Sequence, residues 1–348
     1  MGRKLVQASL RGLSLVQVRH LSTVGFGEAV GDTSRVYREV ERDFGVLAPP
    51  VALHAPVPEL LSASWVLLRE TMLVDGLASR TDKEAVAAAV SVSNQCPFCD
   101  RMHSAVFDSL AARPGSRSGR RAAPAADRTD GLAAWAASGG PAPFPAGQLP
   151  ELVGTALCLH YLNRMVNIFL GSEPLPPNAP NRALGPVVRV LVGLIRGSMR
   201  AKSEPGASLT LLPAAPLPPD LSWAAGEPRI AEALARTSAA VERTGEDLVP
   251  AGVRALVAEV LARWDGRDPG LGRAWLDGPL DGLPASERSA GTLALLTALA
   301  SYRVDDTVVG AFRRDHPGDR ELLALTSWVS LRAARHRCRQ ESPELPDH

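Results

Sequence analysis

Residues 82–104 read DKEAVAAAVSVSNQCPFCDRMHS, and this stretch decides the fold. The part before Asn94 is rich in Ala and Val at helical spacing and holds no turn signal. Thr81 and Glu84 are spaced as a capping box that opens this helix. Pro97 suits the first position of a second helix, which makes Cys96 its N-cap. Cys99 lies three residues past Cys96, and His103 four past Cys99, so the three share one helix face. On a straight helix Glu84 stands roughly 18 Å before Cys96 and His103 roughly 10 Å after it. Glu84 and His103 therefore meet only if the second helix folds back along the first.

Two thiols and an imidazole on one stripe hold the parts needed to reduce a peroxide. One thiolate attacks the O–O bond and becomes a sulfenic acid; the second thiol condenses with it to a disulfide. The helix terminus favours a thiolate at Cys96, whereas proximity to His103 favours one at Cys99. We assign attack to Cys99 and resolution to Cys96, because a specific base also supplies a proton path. Other readings compete with this one. Free cysteines are commonly buried and inert, and Glu84 needs no role beyond the cap. Cys-x-x-Cys with a histidine also offers three zinc ligands, and a zinc-stabilised module predicts stoichiometric metal. Only Cys158, Cys338 and His160 are candidates for a fourth ligand, each isolated, so no metal is expected.

The bulk numbers narrow the function class. At 348 residues the chain can bury a large core or divide in two. A net charge of +1 gives no reason to expect nucleic acid or an anionic membrane as partner. Four cysteines are too few for a disulfide scaffold at this length, which fits a reducing, cytoplasmic setting. Residues 1–27 lack Asp and Glu and carry Arg3, Lys4, Arg11 and Arg19, a composition like that of a transit peptide. We read residues 1–30 as a basic N-terminal extension; Arg11 and Arg19 interrupt any secretory apolar run. The longest apolar stretch, 151–170, bears a polar stripe at His160, Asn163, Arg164 and Asn167. That pattern predicts a helix buried in protein with its stripe bonded between helices, not a membrane span.

Strand signals are scarce, and helical windows recur throughout, so an all-α fold is expected. Residues 34–45 and 58–73 are predicted helices, the second opened by Pro58 and Glu59. Loops are predicted at 113–126, whose four arginines read as solvated surface, and at 139–147. The Pro-rich run LPAAPLPP at 212–219 marks a boundary between halves. Shifted by 205 positions, Thr81 falls on Ser286 and Phe107 on Phe312; a shift of 170 carries PELVGTALCLHYLNRM onto RELLALTSWVSLRAAR. Glu84, Cys96, Cys99 and His103 then correspond to Ser289, Ser301, Val304 and Val308. The expected organisation is a site-bearing half at 31–175, a Pro-rich linker at 176–220, a degenerate half at 221–340 and a tail at 341–348. The two halves would pack as an internal pseudo-dimer.

The run at 82–104 resembles the core motif of the AhpD-like alkylhydroperoxidases of the carboxymuconolactone decarboxylase superfamily. That motif is a helical glutamate, then Cys-x-x-Cys, then histidine. Glu84 precedes Cys96 by 12 residues and His103 follows Cys99 by four, matching the family's spacing. HYLNRMVNIFL at 160–170 is similar to the asparagine-arginine helix found after the site in many members. The resemblance implies an AhpD-like helical fold, often oligomeric, that reduces hydroperoxides without a bound cofactor. It implies that Glu84 polarises His103, His103 serves Cys99, and Cys96 resolves. An external dithiol, such as a lipoyl group on a partner protein, would restore the thiols. Decarboxylases of the superfamily generally lack the cysteine pair, which points to the peroxidase branch. The chain departs from the pattern in its length and in a second half without the motif. The rival function is a redox-sensing or partner-binding protein switched by a Cys96–Cys99 disulfide without turnover.

Overall fold

Prolines punctuate the helices. Pro58, Pro97, Pro150 and Pro228 each stand in the first turn of a helix, where a missing N–H leaves no bond unmade. The computed structural model describes residues 2–112, 123–201 and 203–341. Most of the arginine-bearing loop predicted at 113–126, and the tail from 342 on, lie outside the described residues. Among the described residues no strand occurs, and the fold is all-α as expected.

The first half holds α1 (Gly2–Leu15), α2 (Gly31–Asp43), α3 (Pro49–Ala52), α4 (Pro58–Leu68), α5 (Arg80–Ser93), α6 (Pro97–Ala111), α7 (Ala123–Ser138) and α8 (Leu149–Phe169). There follow α9 (Leu184–Ser198), α10 (Pro228–Leu248), α11 (Ala251–Arg263), α12 (Asp277–Asp281), α13 (Arg288–Ala300), α14 (Asp306–Asp315) and α15 (Asp319–Glu341). The predicted helix 58–73 divides: α4 ends at Leu68 and a π-helical turn covers Arg69–Leu73. In that turn the buried Arg69 donates to Asp43 Oδ2 at 2.7 Å and to the Glu204 carbonyl at 2.8 Å.

Apart from its polar stripe, helix α8 is apolar, and it is buried along nearly its whole length, so it forms the axis of the molecule. It packs along α15 on one side and α5 on another, while α4 packs along α10. The shift of 170 that carries α8 onto α15 also carries Pro58 of α4 onto Pro228 of α10. Helices related by that shift are thus packed on one another. One buried apolar cluster runs from Val36 to Cys338 and includes Leu209 and Leu211, just before the Pro-rich run, and Leu212, its first residue. Among the described residues no helix is long and apolar enough to cross a membrane.

Two segments read from sequence as an extension and a linker contain helices that cover the site. In the extension, Arg11 pairs with Glu41 at 2.6 Å and lies over the Phe26 ring, and Gln7 Nε2 donates to the Gly45 carbonyl at 2.8 Å. Within 176–220, α9 packs on α6 through Val192 and Ile195 against Val106. Gly45 makes this approach possible. Its φ of +100° suits glycine, and a Cβ there would fall 2.5 Å from the Leu194 carbonyl oxygen of α9. Gly45→Ala is therefore expected to lower stability by about 1–3 kcal/mol. A lower urea midpoint at unchanged slope would register it.

Candidate active site

The turn between α5 and α6 sets the site. Asn94 ends α5, and Gln95 adopts a left-handed φ of +50°. The Gln95 N–H donates to the Val92 carbonyl at 3.0 Å, and the Cys96 N–H to the Ser91 carbonyl at 2.9 Å. This pair of bonds is a Schellman closure, which reverses the chain so that α6 folds back along α5. Cys96 is the N-cap of α6 with Pro97 behind it, as predicted.

The polar stripe of α8 holds the turn in place. Asn94 Nδ2 lies 3.0 Å from His160 Nδ1, and Ser91 Oγ donates to Asn163 Oδ1 at 3.3 Å. Asn167 Nδ2 donates to the Asn94 carbonyl at 3.1 Å and to Ser301 Oγ at 3.0 Å. Arg164 donates to the Ala298 carbonyl at 3.1 Å. The stripe bonds helix to helix, as expected for polar groups on a buried helix, and ties the cysteine turn to α13 and the turn after it.

Glu84 and His103 meet. Glu84 Oε2 lies 2.8 Å from His103 Nδ1, and Arg80 Nε donates to Glu84 Oε1 at 2.9 Å. The capping-box expectation is corrected here: Ser79, not Thr81, is the N-cap, its hydroxyl accepting from the Asp82 N–H at 3.1 Å. Serine two residues earlier takes the cap, which leaves the Glu84 carboxylate free to turn toward α6 and Arg80. Burial pushes the Glu84 carboxyl up, but Arg80 and His103 outweigh it and hold the group below the ordinary carboxylate range. Glu84 is an anion, and with Nδ1 of His103 engaged, Nε2 is the ring nitrogen left for chemistry.

Cys99 is buried, and burial pushes its thiol well above the ordinary range, with Cys96 and then Asp100 adding to the effect. It lines a cavity of about 120 Å³ together with His103 and Glu84. Phe98, Met102 and Val106 of α6 make one wall; Leu10 and Leu13 of α1, and Val187, Leu191 and Ile195 of α9, close over it. The four cysteines are all free thiols; Cys158 is fully buried, with its thiol pushed up to about 12.

The counterpart positions in the second half hold no comparable chemistry. Ser289 Oγ donates to Asp315 Oδ2 at 2.7 Å, Ser301 accepts from Asn167, and Val304 and Val308 are buried apolar residues. With this geometry stands one relationship in sequence. Over 331 residues the chain is 35% identical to alkyl hydroperoxide reductase Rv2159c of Mycobacterium tuberculosis, covering 91% of this chain and 93% of that protein.

The chain belongs to the AhpD-like alkylhydroperoxidase family.

No protein-family model and no solved structure matches it. Among the described residues of this AhpD-like chain, no three His, Cys, Asp or Glu side chains converge to hold a metal ion. Sequence reading singled out Glu84, Cys96, Cys99 and His103, but missed Arg80, Asn94 and the two covering helices. Arg80 stands four residues before Glu84, an ion-pair spacing that could have been read. Val187, Val188, Leu191 and Ile195 repeat at helical spacing, a signal hidden by the prolines around them.

Proposed function

We propose that this AhpD-like protein is a thiol-dependent hydroperoxide reductase in which Cys99 attacks, His103 is the base, Glu84 positions that base, and Cys96 resolves. One observation carries the reading: Cys99 and His103 line the same apolar cavity while Glu84 grips His103 from behind. The name of the Mycobacterium tuberculosis relative supports it. A thiol held high by burial needs a base within reach, and four residues along one helix give His103 that reach. His103 Nε2 takes the Cys99 proton, the thiolate attacks the distal peroxide oxygen, and the O–O bond breaks. The departing alkoxide takes the proton back from His103, whose cationic form Glu84 stabilises. The Cys99 sulfenic acid then condenses with the Cys96 thiol, releasing water and forming the disulfide. A dithiol, free or carried as a lipoyl group on a partner protein, returns both sulfurs to thiols.

Turnover separates this reading from a disulfide switch. With cumene hydroperoxide and excess dihydrolipoamide, the chain is expected to consume many equivalents of peroxide per equivalent of protein. Consumption that halts after one equivalent would assign the chain to the sensors instead.

A further inference from the structure

Cys96 and Cys99 are adjacent in space but open onto different surfaces. Cys99 lines the apolar cavity with Glu84 and His103, and Cys96 does not. Cys96 instead borders a separate groove of about 640 Å³, and Cys99 does not. The groove is of mixed polarity, with Arg19, Gln95 and Asp100 beside Leu170, Tyr302 and Val304. Tyr302 and Val304 come from the second half, and Val304 is the residue that the internal repeat sets opposite Cys99. The second half of the chain thus supplies a wall beside Cys96.

We propose that the dithiol reductant docks in this groove and attacks Cys96, while peroxide enters by the apolar cavity to Cys99. The proposal rests on the peroxidase reading above. The linings agree with the two tasks: a narrow apolar cavity suits one small apolar peroxide, and a broader groove of mixed polarity suits a dithiol on a slender arm. Cys96 is only 1% exposed, so the thiol that reaches it must extend into the groove from outside.

The chemistry balances. A thiolate of the reductant attacks Cys96 Sγ, the Cys96–Cys99 bond breaks, and its electron pair leaves on Cys99. The reductant's second thiol then attacks its own first sulfur, closing a disulfide within the reductant and releasing Cys96 as a thiolate. Two electrons pass to the protein, and the two protons of the dithiol end on Cys96 and Cys99. Attack at Cys96 returns Cys99 to its cavity without any reductant having entered there.

Rim substitutions test the assignment by half-reaction. Val92, on α5, is 61% exposed and borders the groove, as does the exposed Ser172. Val92→Trp and Ser172→Trp are expected to lose thiols to cumene hydroperoxide at the wild-type rate. Their recovery of thiols from dihydrolipoamide is expected to slow about tenfold, because exchange depends on access to the attacked sulfur. Val187→Trp, which narrows the cavity, is expected to slow peroxide-driven thiol loss instead. Circular dichroism identical to wild type shows the variants folded. Recovery within about twofold of wild type in both rim variants, or slowing confined to the peroxide step, would overturn the groove as the reductant's entrance. A wild-type chain that loses no thiols to peroxide would instead overturn the peroxidase reading on which the groove depends.

Discussion

Cys99→Ser is expected to lower peroxide turnover by about 10³-fold or more, to the level of unassisted thiol chemistry. Serine keeps the shape of the site but cannot supply a polarisable thiolate or carry a sulfenic acid. Cys96 cannot take over, because it does not line the cavity that holds His103. The reciprocal variant behaves differently. Cys96→Ser should react with one equivalent of hydroperoxide and then stop, leaving a sulfenic acid on Cys99 that a dimedone adduct and peptide mass would locate. A sulfenic acid found on Cys96 in the Cys99→Ser protein, with peroxide consumed, would reverse the two roles. Both serines are near-isosteric at buried positions, so wild-type helicity is expected in each and activity differences report chemistry.

The second large effect is at Glu84. Glu84→Gln keeps a hydrogen-bonding group of equal size beside His103 but removes the charge that stabilises its protonated form. Turnover is expected to fall by about 10²–10⁴-fold, the range for loss of effective general acid–base catalysis. In the proposed mechanism Glu84 acts through His103, so the diagnostic is the pH–rate profile, whose acidic limb should move in the variant. A merely structural role would lower activity without moving the limb. Stability changes with pH in a stated direction as well. The folded Glu84 carboxyl titrates below its unfolded value of about 4.3. It therefore contributes stability that is complete above that pH and disappears as pH falls through the depressed folded value. Acid unfolding of Glu84→Gln should accordingly depend less steeply on pH than that of the wild type.

What the sequence disclosed follows from how local each signal is. Helix periodicity, Pro97 at a helix start and the Cys99–His103 spacing are local patterns, and the structure bears out the helices and the Cys96 cap. The meeting of Glu84 with His103 was legible only as a condition, because it depends on a reversal at Gln95. That residue is not glycine, yet it takes the left-handed conformation on which the Schellman turn is built. Asn94 gave no signal at all, since its partners His160 and Asn167 lie far along the chain on α8. The cavity's closure by α1 and α9 was hidden for another reason. Basic residues in one segment and prolines in the other read as solvent-exposed chain, while their apolar residues cover a site assembled elsewhere. The capping box was misread because Ser79 and Thr81 are both competent caps and only the backbone chooses between them.

The most direct measurement is a thiol count on the wild-type protein after a small, substoichiometric addition of an organic hydroperoxide. Two of the four cysteine thiols should disappear for each peroxide consumed, and peptide mapping should find them joined as Cys96–Cys99. All four thiols surviving, or losses falling on Cys158 or Cys338, would contradict the account.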